Sequence, residues 1–245
     1  MSAKNGGEDV VIERAVRAIS SMIVEVLEHK GLLSLILVGT ISSREERTRC
    51  SDIDFFAIVE SSFDYALEDR VNERLEEERD GVCAGFEARL RCFDLDFLRG
   101  GASKTVVQSI ISAPRLVQRL AFYDVVWGER FDYTRFAAPM SLAQEARFLI
   151  SQVRDSIERI RTGTYPTSIH NFYKLIIELV RVEAQMCGFE FHPDRCRLES
   201  FFAEEMHIIH HTMRLRRSFA DTPPTDEETL SFCDGVEEYV RAFEV

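Results

Sequence analysis

A long hydrophobic run is missing from this 245-residue sequence. The longest apolar stretch, 32–39, covers eight residues and still contains Ser34, whereas a membrane-spanning helix needs about 20 apolar residues. The sequence also lacks a basic start followed by an apolar segment, which is the pattern of a secretory signal. These absences predict a cytoplasmic protein that does not associate with a membrane.

Closely spaced cysteine pairs and a basic tract are missing as well. The six cysteines include no Cys-x-x-Cys pair, so we interpret them as small buried hydrophobic side chains and not as zinc ligands. The net charge is −12, and the only lysines are those at positions 4, 30, 104 and 174. Because binding to nucleic acid depends on neutralising phosphates, this balance argues against a nucleic acid as partner.

The first 127 residues have the pattern of a small α/β unit. Apolar side chains at intervals of three and four predict helices over 8–30 and 63–79. Short apolar or alternating segments predict three strands, at 32–38, 53–59 and 85–93. No strand is predicted after Gly101.

The remaining residues, 128–245, have the pattern of an all-helical bundle. Ser141 and Gln144 have the spacing of a capping box, and a stripe of apolar side chains follows them. Further helices are predicted over 168–187, 197–217 and 225–243. We therefore expect two domains, 1–127 and 128–245, with the transition between them within 128–139.

Two carboxylates stand at the start of the second predicted strand. Asp52 and Asp54 are two residues apart, so strand geometry places both on one face, with Ile53 and Phe55 on the other. Adjacent carboxylates repel each other unless a positive charge lies between them. Carboxylate oxygens suit Mg²⁺, which completes its coordination with water and substrate phosphates. We therefore predict that Asp52 and Asp54 are metal ligands.

A glycine turn precedes these carboxylates in the chain. Gly39 ends the first predicted strand and is followed by the hydroxyl residues Thr40, Ser42 and Ser43. Glycine allows the backbone to approach a ligand closely, and the start of a helix offers free N–H groups to an anion. The turn is therefore a candidate phosphate-binding segment.

Together the turn and the strand resemble the signature of the DNA polymerase β-like nucleotidyltransferase superfamily. The matching residues are Val38-Gly39-Thr40, a spacer of eleven residues (41–51), and Asp52-Ile53-Asp54-Phe55. The layout resembles the kanamycin nucleotidyltransferase and minimal nucleotidyltransferase groups. This resemblance implies an α+β fold, in which a small mixed-sheet nucleotidyltransferase head (1–127) is followed by an all-helical bundle (128–245).

The resemblance also implies a third acid on a neighbouring strand, as a metal ligand or general base. Glu87 lies between apolar residues near the start of the third predicted strand and is our first choice. Asp94 and Asp96, at the end of that strand, are the alternatives, although both could cap the following helix. A lysine of the helical domain often contacts the nucleotide phosphates in proteins of this layout, and Lys174 is the candidate here.

The function implied by the resemblance is two-metal transfer of a nucleoside monophosphate, with Mg²⁺ as cofactor and ATP as the expected donor. The expected partners are a nucleoside triphosphate and a small-molecule or protein acceptor that carries a hydroxyl. The acidic composition favours a cationic small molecule slightly. The alternative is a non-catalytic protein that retains the fold and binds a nucleotide or joins a complex.

Overall fold

The computed structural model describes residues 6–42, 52–105, 108, 113–136, 141–165, 169–190, 192, 195–204, 206–219 and 222–243. The chain divides into two compact units, Met1–Pro139 and Met140–Val245. The first unit thus extends to the end of the segment 128–139, in which the sequence pattern changes. The reason is that the chain after 127 still contributes to the first unit, where Phe131, Tyr133 and Phe136 pack in its core.

The first unit contains a four-stranded mixed sheet. Its strands are β1 (Leu32–Val38), β2 (Ile53–Val59), β3 (Ala88–Asp94) and β4 (Asp124–Gly128), in the order β3-β2-β1-β4. β1 is antiparallel to β2 and β4, whereas β2 and β3 are parallel. The three strands predicted from the sequence are confirmed.

The expectation that no strand follows Gly101 was wrong, because β4 pairs with the free side of β1. β4 has only five residues, and its side chains alternate between exposed and half-buried positions. Such a short edge strand leaves little periodic signal in a sequence.

Helices cover both faces of the sheet. On one face, α1 (Gly6–Leu27) and α3 (Ala66–Glu77) pack against residues such as Leu35, Leu37 and Phe55. On the other face, the short helix α4 (Leu95–Leu98) and α5 (Ala113–Leu120) pack against Ile36, Val38 and Ile58. The alternation of strand side chains therefore supplies two separate cores.

The second unit is helical throughout the residues that are described. Its helices are α6 (Leu142–Arg161), α7 (Ile169–Met186), α8 (Arg195–Phe201), α9 (Ile208–Ser218) and α10 (Asp226–Phe243). Ser141 and Gln144 form the capping box predicted for α6. The single helix predicted over 197–217 is instead two helices, and His207 caps the second of them through its ring nitrogen.

Among the residues that the structure describes, no helix is both long enough and apolar enough to cross a bilayer.

Candidate active site

Gly39 is the residue at which β1 ends and the short helix α2 (Gly39–Ser42) begins. Its φ of 77° lies in the left-handed region that glycine adopts without strain. The neighbouring Val38 pairs with Asp54 across β1 and β2. A β-carbon at position 39 would lie 3.4 Å from Oδ2 of Asp54. The predicted phosphate turn and the predicted metal-binding strand are therefore in direct proximity.

The hydroxyl residues of the turn are only partly described. Thr40 and Ser42 belong to α2, while Ser43 lies in 43–51, outside the described residues. Their contacts with a phosphate remain a prediction from the sequence.

Asp52, just before β2, and Asp54 alternate with Ile53 and Phe55 along the strand. Ile53 and Phe55 are fully buried, whereas both aspartates are half-buried. The alternation predicted from the sequence is thus present, and the two carboxylates share a face of the sheet at its Gly39 end.

Glu87 lies directly beside this pair. The backbone N–H of Ile53 donates to the carbonyl oxygen of Glu87 over 2.8 Å, and Asp54 is in register with Arg89 in the parallel β2–β3 pair. Because in-register partners in a sheet place their side chains on the same face, Glu87 and Arg89 share the face of the two aspartates. Glu87 immediately precedes β3, which begins three residues later than the sequence predicted.

The position of β3 is fixed by side chains of α3. Asn72 accepts a hydrogen bond from the N–H of Leu90 over 2.8 Å, and Glu68 accepts one from the N–H of Cys92 over 2.8 Å. These two residues are four positions apart and therefore lie on one face of their helix. They satisfy the outer edge of β3 and so help to hold Glu87 and Arg89 in register with β2.

Asp94 lies at the other end of the sheet. It is in register with Val59, five residues along β2 from Asp54, which corresponds to about 16 Å of strand. The side chain of Asp94 accepts hydrogen bonds from the backbone N–H groups of Asp96 and Phe97 and caps α4. The helix-capping interpretation of Asp94 therefore accounts for its contacts.

Further contacts hold Asp94 and Asp96 in structural roles. The hydroxyl of Tyr65 donates to Asp94 over 2.6 Å. Burial opposes ionisation of Asp94, but the hydrogen bonds from Tyr65 and Phe97 outweigh it and lower the pKa of that carboxyl. Asp96 accepts a hydrogen bond from Ser61. Of the three candidates for the third acid, Glu87 alone adjoins Asp52 and Asp54.

Arg89 is a site residue that the sequence reasoning missed. Its Nε donates to Oε1 of Glu87 over 2.8 Å, and its Nη2 donates to the same oxygen. These hydrogen bonds, followed by the charges of Glu87, Asp52 and Asp54, raise the pKa of Arg89. The sequence feature that could have predicted this contact is an arginine two residues after Glu87, on the same face of the strand.

The donor set fits a hydrated magnesium ion. Asp52 and Asp54 supply two carboxylates from one strand face, which matches the one or two that Mg²⁺ usually takes from a protein. Their charges both act on the Arg89 guanidinium, so their negative potential converges on one place. Within the part of the chain that is described, no three histidine, cysteine, aspartate or glutamate side chains are grouped so that they could hold a metal ion.

In the second unit, Lys174 belongs to a group of basic side chains. Burial, followed by the charges of Lys174, Arg216 and Arg195, lowers the pKa of His170 to about 4. His170 and Lys174 lie one turn apart on α7, Arg195 begins α8, and Arg216 is buried on α9. These four residues are here called the basic cluster; the lowered pKa leaves His170 neutral near pH 7, and the other three carry positive charge.

Comparison with known proteins gives a likeness in structure only. No family model and no curated protein matches the sequence. The structure is similar to that of spectinomycin adenyltransferase AAD(9) from Enterococcus faecialis with ATP and spectinomycin, with a TM-score of 0.60 and 11% identity over 93% of this chain and 98% of that chain. A nucleotidyltransferase-like protein from Exiguobacterium sibiricum 255-15 matches with a TM-score of 0.30 and 12% identity, over 93% and 74% of the two chains.

The first likeness shows that the chain has a nucleotidyltransferase fold. The predicted α+β fold, a mixed-sheet head followed by helices, is therefore confirmed.

Proposed function

We propose that this protein transfers a nucleoside monophosphate, AMP from ATP, onto a hydroxyl group of its acceptor and releases pyrophosphate. One observation supports this proposal above the others. The Gly39 turn adjoins the carboxylate of Asp54, on the face that carries Asp52 and Glu87. Phosphoryl and nucleotidyl transfer depend mainly on positioning and charge neutralisation, and this arrangement combines a phosphate-binding turn with cation-binding carboxylates.

Asp52 and Asp54 would hold Mg²⁺. A bound Mg²⁺ would neutralise charge on the polyphosphate and orient it for attack. The carboxylates themselves fix where the positive charge lies relative to the Gly39 turn. Backbone N–H groups at the start of α2 would donate to phosphate oxygens, and the hydroxyls of Thr40, Ser42 and Ser43 would add donors.

Glu87 is the proposed general base. The hydroxyl oxygen of the acceptor would form a bond to the α-phosphorus, and the bond from that phosphorus to the oxygen bridging to the β-phosphate would break. The hydroxyl proton would pass to the carboxylate of Glu87, and pyrophosphate would leave with the electron pair of the broken bond. Such proton transfer typically contributes a rate factor of about 10² to 10⁴.

Lys174 is proposed to bind the nucleotide phosphates. Its ammonium group lies in the basic cluster, near enough to His170 to disfavour the protonated imidazole. Its side chain is half-buried on α7, and a lysine ammonium binds a phosphate oxygen as a point charge.

For the acceptor we propose a small molecule, and a cationic one in preference to a protein. The net charge of −12 favours attraction of cations over long distances. The similar adenyltransferase structure was determined with ATP and spectinomycin, which is consistent with a nucleotide and a small molecule as ligands of this fold.

Labelled ATP provides the test. The full-length protein would be incubated with MgCl₂, a panel of hydroxyl-bearing acceptors, and ATP labelled in either the α- or the γ-phosphate. Nucleotidyl transfer predicts an acceptor product that carries only the α-label, with the γ-label in pyrophosphate. Chelation of the metal and the Asp54→Asn variant should each abolish the product. A product carrying the γ-label would overturn the proposal, as would the lack of any labelled product across donors, metals and acceptors.

The second candidate is a non-catalytic nucleotide-binding protein. The observation that favours it is the pairing of Glu87 with Arg89, which occupies the carboxylate that would act as base. This candidate predicts ATP binding that does not depend on Mg²⁺ and yields no product. Calorimetry with a non-hydrolysable ATP analogue, with and without Mg²⁺, distinguishes the two.

A further inference from the structure

A groove lies between α1 and the edge strand β4 in the first unit. Its apolar lining consists of Val16 and Val24 of α1 and Val126 and Trp127 of β4, and its volume is about 730 Å³. Val126 is 37% exposed, although valine is among the residues most often fully buried. The groove is therefore an apolar surface suited to packing against a partner.

The edge of β4 is poorly suited to pairing with an extended peptide. The strand has five residues, and its register with β1 shifts between the partners of Leu35 and Ile36. This shift leaves Val126 between the paired residues Val125 and Trp127. Short and irregular edge strands disfavour the addition of a further strand. The groove therefore fits a partner that packs through its side chains, as a helix does.

A row of exposed polar side chains runs along α1 beside this groove. Arg14 and Arg17 precede Ser21, and Glu25 and Glu28 follow it. Intervals of three and four residues place all five on one face of the helix, and Glu28 opens the short 3₁₀ turn that continues α1. These five residues are here called the charged row, and all except Arg14 line the groove.

The charged row is complementary to itself when two copies run antiparallel. Arg17 and Glu25 are each four residues from Ser21, and Arg14 and Glu28 are each seven residues from it. A two-fold axis at Ser21 therefore brings the arginines of one copy against the glutamates of the other, at about 6 Å and 10 Å along the helix from the axis. A parallel arrangement would instead oppose like charges. The small side chain at the axis allows the two helices to approach closely.

The charges within one copy do not prevent this contact. Arg17 pairs with Glu13 over 3.7 Å, but the two side chains are 82% and 71% exposed, and such ion pairs are weak. The net charge of −12 opposes association of two copies over long distances. Physiological salt screens exposed charges beyond about 8 Å, whereas pairs inside a contact are screened much less. The local complementarity therefore outweighs the long-range repulsion.

We propose that a second copy of this chain occupies the groove, with the two α1 helices antiparallel and the two-fold axis at Ser21. The second copy would cover Val126 and Trp127, and the pairs between arginines and glutamates of the charged row would fix the orientation. This inference does not depend on the proposed function.

The experiment measures self-association of the full-length protein by analytical ultracentrifugation, across a series of concentrations at physiological salt. One double variant, Arg14→Glu with Arg17→Glu, makes the charged row acidic throughout. The other, Glu25→Arg with Glu28→Arg, makes it basic throughout. Each alone should weaken self-association by about tenfold or more, because like charges then face each other. An equal mixture of the two should form a heterodimer, since each supplies the charge that the other lacks.

A matched control and a local reporter accompany these variants. Arg70→Glu with Arg74→Glu, on the exposed side of α3, makes the same change of net charge and should associate like the wild type. Trp127 is the single tryptophan of the chain, so its fluorescence emission should move to shorter wavelengths as association excludes water from the groove. Circular dichroism checks that each variant folds. If a double variant does not fold, Ser21→Arg gives the same test, because the introduced charge would face its own copy at the axis.

Weaker association in each reversed variant, with recovery in their mixture, supports the inference. A wild type that stays monomeric at every concentration would overturn it in favour of a different protein as the occupant of the groove. Association that persists in either reversed variant, or that does not recover in the mixture, would show that the charged row does not form the contact. An equal loss in the α3 control, or a dimer with unchanged Trp127 emission, would also overturn the inference.

Discussion

The two units of the molecule each concentrate charge of one sign. In the first unit, Asp52, Asp54 and Glu87 adjoin each other on two neighbouring strands, and Arg89 lies beside them. In the second unit, the basic cluster gathers residues from three helices around His170. Like charges held together cost stability unless opposite charge is supplied. Under the proposed function, the carboxylates would bind a divalent cation, and Lys174 of the basic cluster would bind a phosphate of the nucleotide.

The largest expected effect comes from the carboxylate group. Asp54→Asn removes the charge that lies beside Gly39 while keeping the shape of the side chain. We expect the rate of nucleotide transfer to fall by a factor of about 10³ or more, because the metal would lose a ligand. The measurement is turnover with α-labelled ATP under saturating Mg²⁺, with circular dichroism to check the fold.

The matched control for this variant is Asp69→Asn, on the exposed side of α3. It makes the same chemical change in the same unit and should retain wild-type turnover. Full activity in Asp54→Asn would show that this carboxylate takes no part in the proposed reaction.

The aspartates could be predicted from the sequence more readily than their relation to Arg89, for a physical reason. Gly39, Asp52 and Asp54 belong to two consecutive strands, and the period of two in a strand places the aspartates on one face without any knowledge of the tertiary structure. The relation of Arg89 to Asp54 depends on the register between parallel strands that are separated by α3. No local pattern contains that register.

The basic cluster was less predictable still. Lys174 and His170 are one turn apart, which a helical pattern can show, but Arg195 and Arg216 join them only through the packing of α8 and α9. The break between those two helices was also missed, since the apolar spacing continues across it. Helix and strand types could thus be predicted from periodicity, whereas contacts between elements could not.

The second effect concerns the stability of the basic cluster at acid pH. The pKa of His170 is lowered from 6.5 to about 4 in the folded protein. Between these two pH values the imidazole is therefore protonated in the unfolded chain but neutral in the folded protein. Stability is therefore lost as the pH falls from 6.5 towards 4. We expect His170 to account for about 2 kcal/mol of lost unfolding free energy between pH 7 and pH 5.

Urea denaturation of the wild type and of His170→Gln at both pH values measures this loss. The variant should lose less stability than the wild type over the interval. His29→Gln, at an exposed position, serves as the control and should behave like the wild type. An identical pH dependence in wild type and His170→Gln would mean that burial and the neighbouring charges do not hold that imidazole neutral.

A smaller effect is expected on the affinity for ATP when Lys174 of the basic cluster is replaced. Lys174→Met should weaken the binding of ATP by about tenfold, which corresponds to about 1.4 kcal/mol, or one lost charge-assisted hydrogen bond. Lys174→Arg keeps the charge and should lose less. Calorimetry with a non-hydrolysable analogue measures the affinity, and Lys30→Met, in the exposed segment after α1, provides the control. Unchanged binding in Lys174→Met would exclude this lysine from the phosphate site.

The smallest effect is expected at the turn that adjoins the carboxylates. In Gly39→Ala, the β-carbon meets Oδ2 of Asp54 at an ordinary contact distance of 3.4 Å, so strain comes mainly from the backbone φ of 77°. An alanine in that region costs about 1 kcal/mol of unfolding free energy. We expect this loss, together with a several-fold weaker binding of nucleotide in the presence of Mg²⁺, because the turn relaxes away from the position that a phosphate would contact.

Gly163→Ala separates these two consequences. Its φ of 66° is similarly left-handed, and no atom lies within 4 Å of the added carbon, so the backbone penalty should be the same. Gly163 lies in the second unit, just after α6, and its replacement should lower the stability without altering nucleotide binding. If both variants weaken nucleotide binding equally, the effect follows from reduced stability, and Gly39 is not part of the nucleotide-binding site.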